Sequence, residues 1–214
     1  MKNPIFLFVL ALFTFGCETG PNADAVISTE FGDMYVVLYD STPEHSANFE
    51  KLAKENFYDD LLFHRVIEGF MIQGGDPDSR GAAPNRTLGA GGPGYTLPAE
   101  IGGIHIKGAL SAARLGDQVN PEKRSSGSQF YVVQGKVATD PQLMQTQQMR
   151  GITYSEEQKE LYKTIGGAPF LDNDYTVFGE VVEGLHVIDS IAAVQTGIGD
   201  RPVKDVKMTV KWLK

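Results

Sequence analysis

Residues 63 to 76 read Phe-His-Arg-Val-Ile-Glu-Gly-Phe-Met-Ile-Gln-Gly-Gly-Asp, so one arginine and one glutamine stand among large apolar side chains. If the run begins as a strand, its period of two places Arg65 on the face opposite His64. Gly69 then allows the chain to bend before the second half of the run. The pattern predicts a binding surface that carries no nucleophile.

This run resembles the signature of the cyclophilin family of peptidyl-prolyl isomerases almost continuously. Two further blocks follow in the family's order, Gly-Ser-Gln-Phe-Tyr-Val at residues 127–132 and Phe-Leu-Asp-Asn-Asp-Tyr-Thr-Val-Phe-Gly-Glu-Val at residues 170–181. The resemblance covers about residues 25–213. It implies the family's activity, which is cis/trans isomerisation of X-Pro peptide bonds.

Short apolar patterns of strand type recur through this part of the chain. They predict a hairpin over 26–39 and strands over 104–112, 129–134, 175–182 and 207–213. Helical spacing predicts one helix over 43–56 and a second near 185–192. These patterns leave a barrel and a sandwich open. The resemblance implies a mainly β fold, a closed eight-stranded antiparallel β-barrel capped by the two helices.

Two segments, about 115–126 and 136–168, are insertions that we expect beside the substrate groove. The first is polar. The second contains Ser155-Glu156-Glu157-Gln158, a capping box that predicts an extra short helix ending at Gly166-Gly167, and a glutamine-rich stretch at 142–148. The insertions gate clients or dock a partner, or they are tolerated surface loops; the sequence leaves these alternatives open.

The first seventeen residues predict the signal peptide of a bacterial lipoprotein. Lys2 precedes an apolar run over 5–15 that is too short to span a bilayer as a helix, and Gly16-Cys17 resembles a lipobox. Cys17 is the single cysteine, so we expect it to be lipidated rather than paired in a disulfide. The alternative is an ordinary secretory leader, with Cys17 removed or incidental.

This leader divides the chain into a signal peptide (1–17), a polar tether (18–24) and one domain (25–214). The predicted location is an exported lipoprotein, anchored by its lipid and facing the periplasm or the cell exterior. The expected partners are proline-containing polypeptides, unfolded or exported, and we expect a monomer.

The net charge of −8 disfavours nucleic-acid binding. Residues 89–94 satisfy G-x-G-x-x-G, but they lack the preceding strand and following helix that dinucleotide binding requires. The four histidines show no ligand spacing. The sequence therefore predicts neither a cofactor nor a metal.

Rotation about an X-Pro bond is slow because the amide has partial double-bond character, with a barrier of about 18–20 kcal/mol. A catalyst has to favour the twisted state, in which the prolyl nitrogen can accept a hydrogen bond. Arg65 is the candidate donor. The resemblance implies that Gln73 and Gln129 bind the substrate backbone or orient this arginine, and that the proline ring lies in a pocket lined by Phe70, Met71, Tyr131 and Leu171.

Three positions depart from the best-known eukaryotic pattern. Phe170 replaces a rim tryptophan, which puts tight cyclosporin binding in doubt; Ala113-Arg114 replaces Ala-Asn in the peptide groove, and Tyr175 replaces a rim histidine. We expect catalysis with an altered client preference. The rival hypothesis is a non-catalytic module that holds proline-containing chains as a chaperone or scaffold.

Overall fold

A computed structural model describes residues 21–214. The predicted signal peptide, Cys17 and the start of the tether lie outside the described residues. Asp24, the last tether residue, already belongs to the folded domain, because its N–H donates to the Val36 carbonyl and its carbonyl accepts from Leu213. In the described part, no helix has the length and apolarity needed to cross a membrane.

The domain is built around a nine-stranded antiparallel sheet. Its strands are β1 (Ala25–Thr29), β2 (Gly32–Leu38), β3 (Leu61–Leu62), β4 (Arg65–Ile67), β5 (Met71–Gly74), β7 (Ala109–Ala112), β9 (Phe130–Val133), β10 (Val177–Glu183) and β11 (Lys207–Trp212). They are arranged in the order β3-β11-β1-β2-β10-β7-β9-β5-β4. A second, two-stranded sheet pairs β6 (Thr96–Leu97) with β8 (Ser125–Ser126).

The two ends of the large sheet belong to one stretch of chain. β3 and β4 are separated only by Phe63 and His64, so the sheet curls round until its first and last strands meet at this two-residue joint. The mainly β, curled antiparallel architecture is confirmed. It differs from the predicted closed eight-stranded barrel in two details: the sheet has nine strands and, within residues 21–214, no ladder joins β3 to β4.

The predicted capping helices are α1 (Pro43–Lys54) and α4 (Leu185–Ala192), which contact β11 and β2 respectively. Each buries an apolar stripe, which includes Phe49 and Leu52 from α1 and Val187 and Ile191 from α4. These side chains join the inward-facing residues of β1 and β2 in the main core. Burying one large apolar side chain stabilises the folded state by about 1.5–3 kcal/mol, so this core is the main stabilising element.

The insertion at 136–168 holds two helices, α2 (Asp140–Arg150) and α3 (Glu156–Thr164), where the sequence predicts one. The capping box at Ser155 is confirmed as the start of α3. α2 has its own capping box at Thr139 and ends at Gly151, where φ is +64°. Its periodicity is weak in the sequence because it buries only Leu143 and Thr146.

The strand predicted over 104–112 is shorter than expected. Regular pairing begins only at Ala109, because Gly108 has φ +90° and turns the chain. Ile106 makes an isolated bridge to Gly167 instead. The insertion is thereby joined to the sheet just before a 3-10 turn at Pro169–Leu171.

Candidate active site

Arg65, Gln73 and Tyr131 form one row across three neighbouring strands. The register pairs Arg65 with Gln73 between β4 and β5, and Gln73 with Tyr131 between β5 and β9. Directly opposed residues of antiparallel strands point to the same face of the sheet. Gly69, at φ +74°, provides the bend that lets β4 turn back into β5.

A chain of hydrogen bonds leads from Arg65 into the protein. Arg65 Nη1 donates to Gln73 Oε1 at 3.3 Å, and Gln73 Nε2 donates to Gln129 Oε1 at 3.1 Å. Gln129 Nε2 in turn donates to the Gly91 carbonyl at 2.7 Å. Each amide is therefore oriented, and the oxygen of Gln73 faces the guanidinium.

Asp200 contacts the other edge of the guanidinium. Arg65 Nε donates to Asp200 Oδ2 at 3.3 Å, and the two side chains are 42% and 47% exposed. An ion pair this exposed contributes little, about 0–1 kcal/mol. The Gln73 amide therefore orients the guanidinium, while the weak pair with Asp200 leaves the arginine accessible.

The row borders a cleft of about 790 Å³. We call Arg65, Met71, Gln73 and Tyr131 the strand wall. The cleft brings together nine of the predicted site residues, which are Arg65, Phe70, Met71, Gln73, Ala113, Arg114, Tyr131, Leu171 and Tyr175.

Two predicted residues lie elsewhere. Gln129 is only 5% exposed and stands behind Gln73, which favours its orienting role over substrate contact. Phe170 is 46% exposed and lies at the rim, where its ring centroid is 5.4 Å from that of Phe70.

Arg114 is held against Tyr175 rather than extended into the solvent. Its guanidinium carbon lies 4.5 Å from the centroid of the Tyr175 ring, and its Nε donates to the Asp174 carbonyl at 2.8 Å. Only 3% of the Arg114 side chain is exposed. This cation–π contact fixes the tyrosine ring at the edge of the cleft.

A further part of the cleft is lined by two loops, residues 84–89 and 197–205, which we call the loop wall. Arg201 joins them, because its Nη1 donates to the carbonyl of Ala83, just before the first loop, at 2.8 Å, and to the Pro84 carbonyl at 3.4 Å. Its Nη2 donates to Asp205 Oδ1 within its own loop at 2.8 Å. Sequence reasoning missed this wall. The glycine- and proline-rich composition of the first loop predicted only irregular structure.

His64 also lines the cleft, although it lies in the joint between β3 and β4 and is only 3% exposed. Within the described part of the chain, neither ring nitrogen has a hydrogen-bond partner. Burial lowers the pKa of His64, which keeps the imidazole neutral. Over residues 21–214 there is no group of three or more His, Cys, Asp or Glu side chains arranged to hold a metal.

The chain is similar in sequence and in fold to known proteins. Residues 25–211 match the family model described as cyclophilin type peptidyl-prolyl cis-trans isomerase/CLD. A protein of Staphylococcus haemolyticus named as a peptidyl-prolyl cis-trans isomerase is 38% identical over 179 residues, which are 83% of this chain and 84% of the relative.

A Streptococcus pyogenes protein named as a bifunctional phosphatase/peptidyl-prolyl cis-trans isomerase is 38% identical over 204 residues. This chain spans only 38% of that relative's length. In fold, the chain is similar to a cyclophilin type peptidyl-prolyl cis-trans isomerase from Cryptosporidium parvum, with a TM-score of 0.64 at 22% identity over 90% of this chain and 98% of the other.

Proposed function

The chain belongs to the cyclophilin-type peptidyl-prolyl cis-trans isomerases, and from this membership we propose that it acts without covalent chemistry, with Arg65 as the donor to the twisted prolyl nitrogen. The observation that carries this proposal is the chain of hydrogen bonds from Arg65 through Gln73 to Gln129, which orients one accessible cation in the cleft.

The mechanism follows from the chemistry of the X-Pro bond. In the planar ground state, resonance occupies the nitrogen lone pair, so the nitrogen is a poor acceptor. As the bond twists, the nitrogen becomes pyramidal and can accept a hydrogen bond from the guanidinium. Such a contact exists only in the transition state, where each 1.36 kcal/mol is worth tenfold in rate.

The proposed substrates are proline-containing segments of unfolded or exported polypeptides. The ring of the proline would lie against Phe70, Met71, Tyr131 and Leu171, which meet on one side of the cleft. The Cryptosporidium protein has also been crystallised in the presence of the dipeptide Ala-Pro, which supports a prolyl ligand for this site.

We also propose that the chain acts as an exported lipoprotein attached through Cys17. The support is the sequence of residues 1–17. Cys17→Ser should release the protein from the membrane fraction of its host, while a Thr19→Ser control stays bound. Equal membrane retention of both variants would contradict the anchor.

Isomerisation of a short proline peptide by the full chain tests the mechanism. We expect Arg65→Ala to lower kcat/KM by about 10²–10³-fold, as removal of one transition-state donor does elsewhere. The matched control is Arg86→Ala, which removes an arginine from the loop wall and should change kcat/KM less than about twofold.

Two outcomes would overturn the proposal. Unchanged turnover in Arg65→Ala would remove the arginine from the mechanism. If the intact chain binds the peptide but does not accelerate its isomerisation, the protein is instead a non-catalytic module that binds proline-containing chains.

A further inference from the structure

A buried polar cluster connects the insertion at 136–168 to the proline pocket. At its centre is Asp172, which is 2% exposed. Its Oδ2 accepts hydrogen bonds from the hydroxyl groups of Tyr154 at 2.5 Å and Tyr162 at 2.6 Å. Both tyrosines belong to the insertion, so this segment supplies two of the donors that a buried carboxylate requires.

The other oxygen of Asp172 faces His105, which is fully buried. Asp172 Oδ1 accepts from the His105 backbone N–H at 2.8 Å and lies 2.7 Å from the ring Nδ1. The ring Nε2 lies 3.0 Å from the hydroxyl oxygen of Tyr131. The cluster thus runs from the insertion to a side chain of the strand wall.

The direction of each hydrogen bond follows from the donors available. Asp172 Oδ1 already accepts from the His105 backbone N–H, so we assign the ring Nδ1 as a second donor to it; in a ring with that single proton, Nε2 is an acceptor. The Tyr131 hydroxyl must then donate to Nε2. Burial raises the pKa of Tyr131, Tyr154 and Tyr162, so all three hydroxyl groups keep their protons.

We propose that Tyr154 and Tyr162 are positioning residues of the proline pocket. By holding Asp172 they fix the Nδ1–H tautomer of His105, and the Tyr131 hydroxyl hydrogen is turned away from the substrate. The pocket then presents the face of the Tyr131 ring to proline instead of a polar donor. This inference rests on the proposed function for its kinetic test, but its spectroscopic test is independent of activity.

Kinetics of the Tyr154→Phe/Tyr162→Phe double variant provide the first test. We expect KM to rise about three- to tenfold with kcat within about twofold, because the pocket contacts proline equally in ground and transition states while Arg65 is untouched. The control is Tyr58→Phe, which removes an equally buried hydroxyl in the main core, outside this cluster, and should leave KM unchanged.

A double-mutant cycle separates an effect on the Tyr131 hydroxyl from a general loss of stability of the domain. Tyr131→Phe removes the hydrogen bond between the Tyr131 hydroxyl and His105 Nε2. In that variant, the added Tyr154→Phe/Tyr162→Phe substitutions should raise KM no further. An equal rise in both backgrounds would overturn the proposal. If the double variant does not fold, Tyr162→Phe alone serves in the same cycle.

The ring ¹⁵N chemical shifts of His105 give the second test. We expect the Nδ1–H tautomer in the intact chain and a mixture in the double variant, because Asp172 without its tyrosine donors holds Nδ1 less firmly. An Nε2–H or doubly protonated ring in the intact chain would contradict the proposed direction of the hydrogen bonds in this cluster. Loss of isomerisation with the expected tautomer would contradict the proposed function alone.

Discussion

The two walls of the cleft are built by different means. The side chains of the strand wall stand on β4, β5 and β9, whose ladders fix their register. The loop wall is largely exposed, and the hydrogen bonds of Arg201 join its two segments. Groups held on a rigid scaffold suit chemistry that depends on exact placement, whereas a loop-borne surface can adjust to different clients.

Arg201→Ala should have the largest effect, and it tests whether the loop wall can unfold while the strand wall stays folded. Its loss leaves the Ala83 carbonyl and Asp205 without their shared donor, so amide exchange in residues 82–87 should accelerate by about 10–100-fold while the β9 amides keep their protection. Hydrogen exchange followed by mass spectrometry measures both regions. The control is Arg80→Ala, which removes an arginine bonded to the Phe57 and Asp59 carbonyls. Equal acceleration in β9 would show that the walls unfold together.

Gln73→Ala tests the strand wall. Removal of this amide takes away the acceptor that orients Arg65, and we expect kcat/KM to fall about tenfold. Asn85→Ala removes an amide from the loop wall and should alter kcat/KM less than about twofold. Comparable losses in the two variants would contradict the unequal roles assigned to the walls.

His64 borders both walls, and its pKa predicts a pH effect on stability. Because the folded-state pKa is lowered from 6.5, the unfolded chain binds a proton that the folded chain resists, and stability falls as the pH drops below about 6.5. One histidine contributes at most about 1.4 kcal/mol per pH unit. Between pH 7 and 5, the free energy of unfolding of His64→Leu should fall less than that of the intact chain; an equal fall in both would contradict the prediction.

Asp200→Ala should have the smallest effect. It removes an exposed ion pair between the walls, which frees Arg65 for the substrate and raises kcat/KM by about twofold or less. Added salt screens the same pair, so the variant and the intact chain should converge at high ionic strength. A decrease larger than about fivefold would show that Asp200 helps to place the arginine.

The sequence motifs single out residues of the strand wall but none of the loop wall. Arg65, Gln73 and Tyr131 belong to continuous motifs whose positions a strand register preserves. The start of α3 has a local signal at Ser155, because a capping box depends on neighbouring residues alone. The structure places Arg65, Gln73 and Tyr131 side by side along the cleft, while their roles in catalysis stay predictions.

Other features depend on contacts between distant segments. The loop wall exists because Arg201 reaches a loop more than a hundred residues earlier, and no local pattern encodes that contact. Gln129 matches a family motif, but only the fold shows that it lies behind Gln73. The histidines show no metal spacing in the sequence, yet folding pairs His105 with Asp172 and with the insertion.

The joint at Phe63 and His64 constrains how this chain can change in length. One added residue there could shift the register of β4 against β5 by one position, and Arg65 would then point into the core. The insertion at 136–168 lies between strands and carries its own helices, so its length can vary without shifting that register. In evolution, we expect insertions and deletions to accumulate there and to be eliminated at the joint.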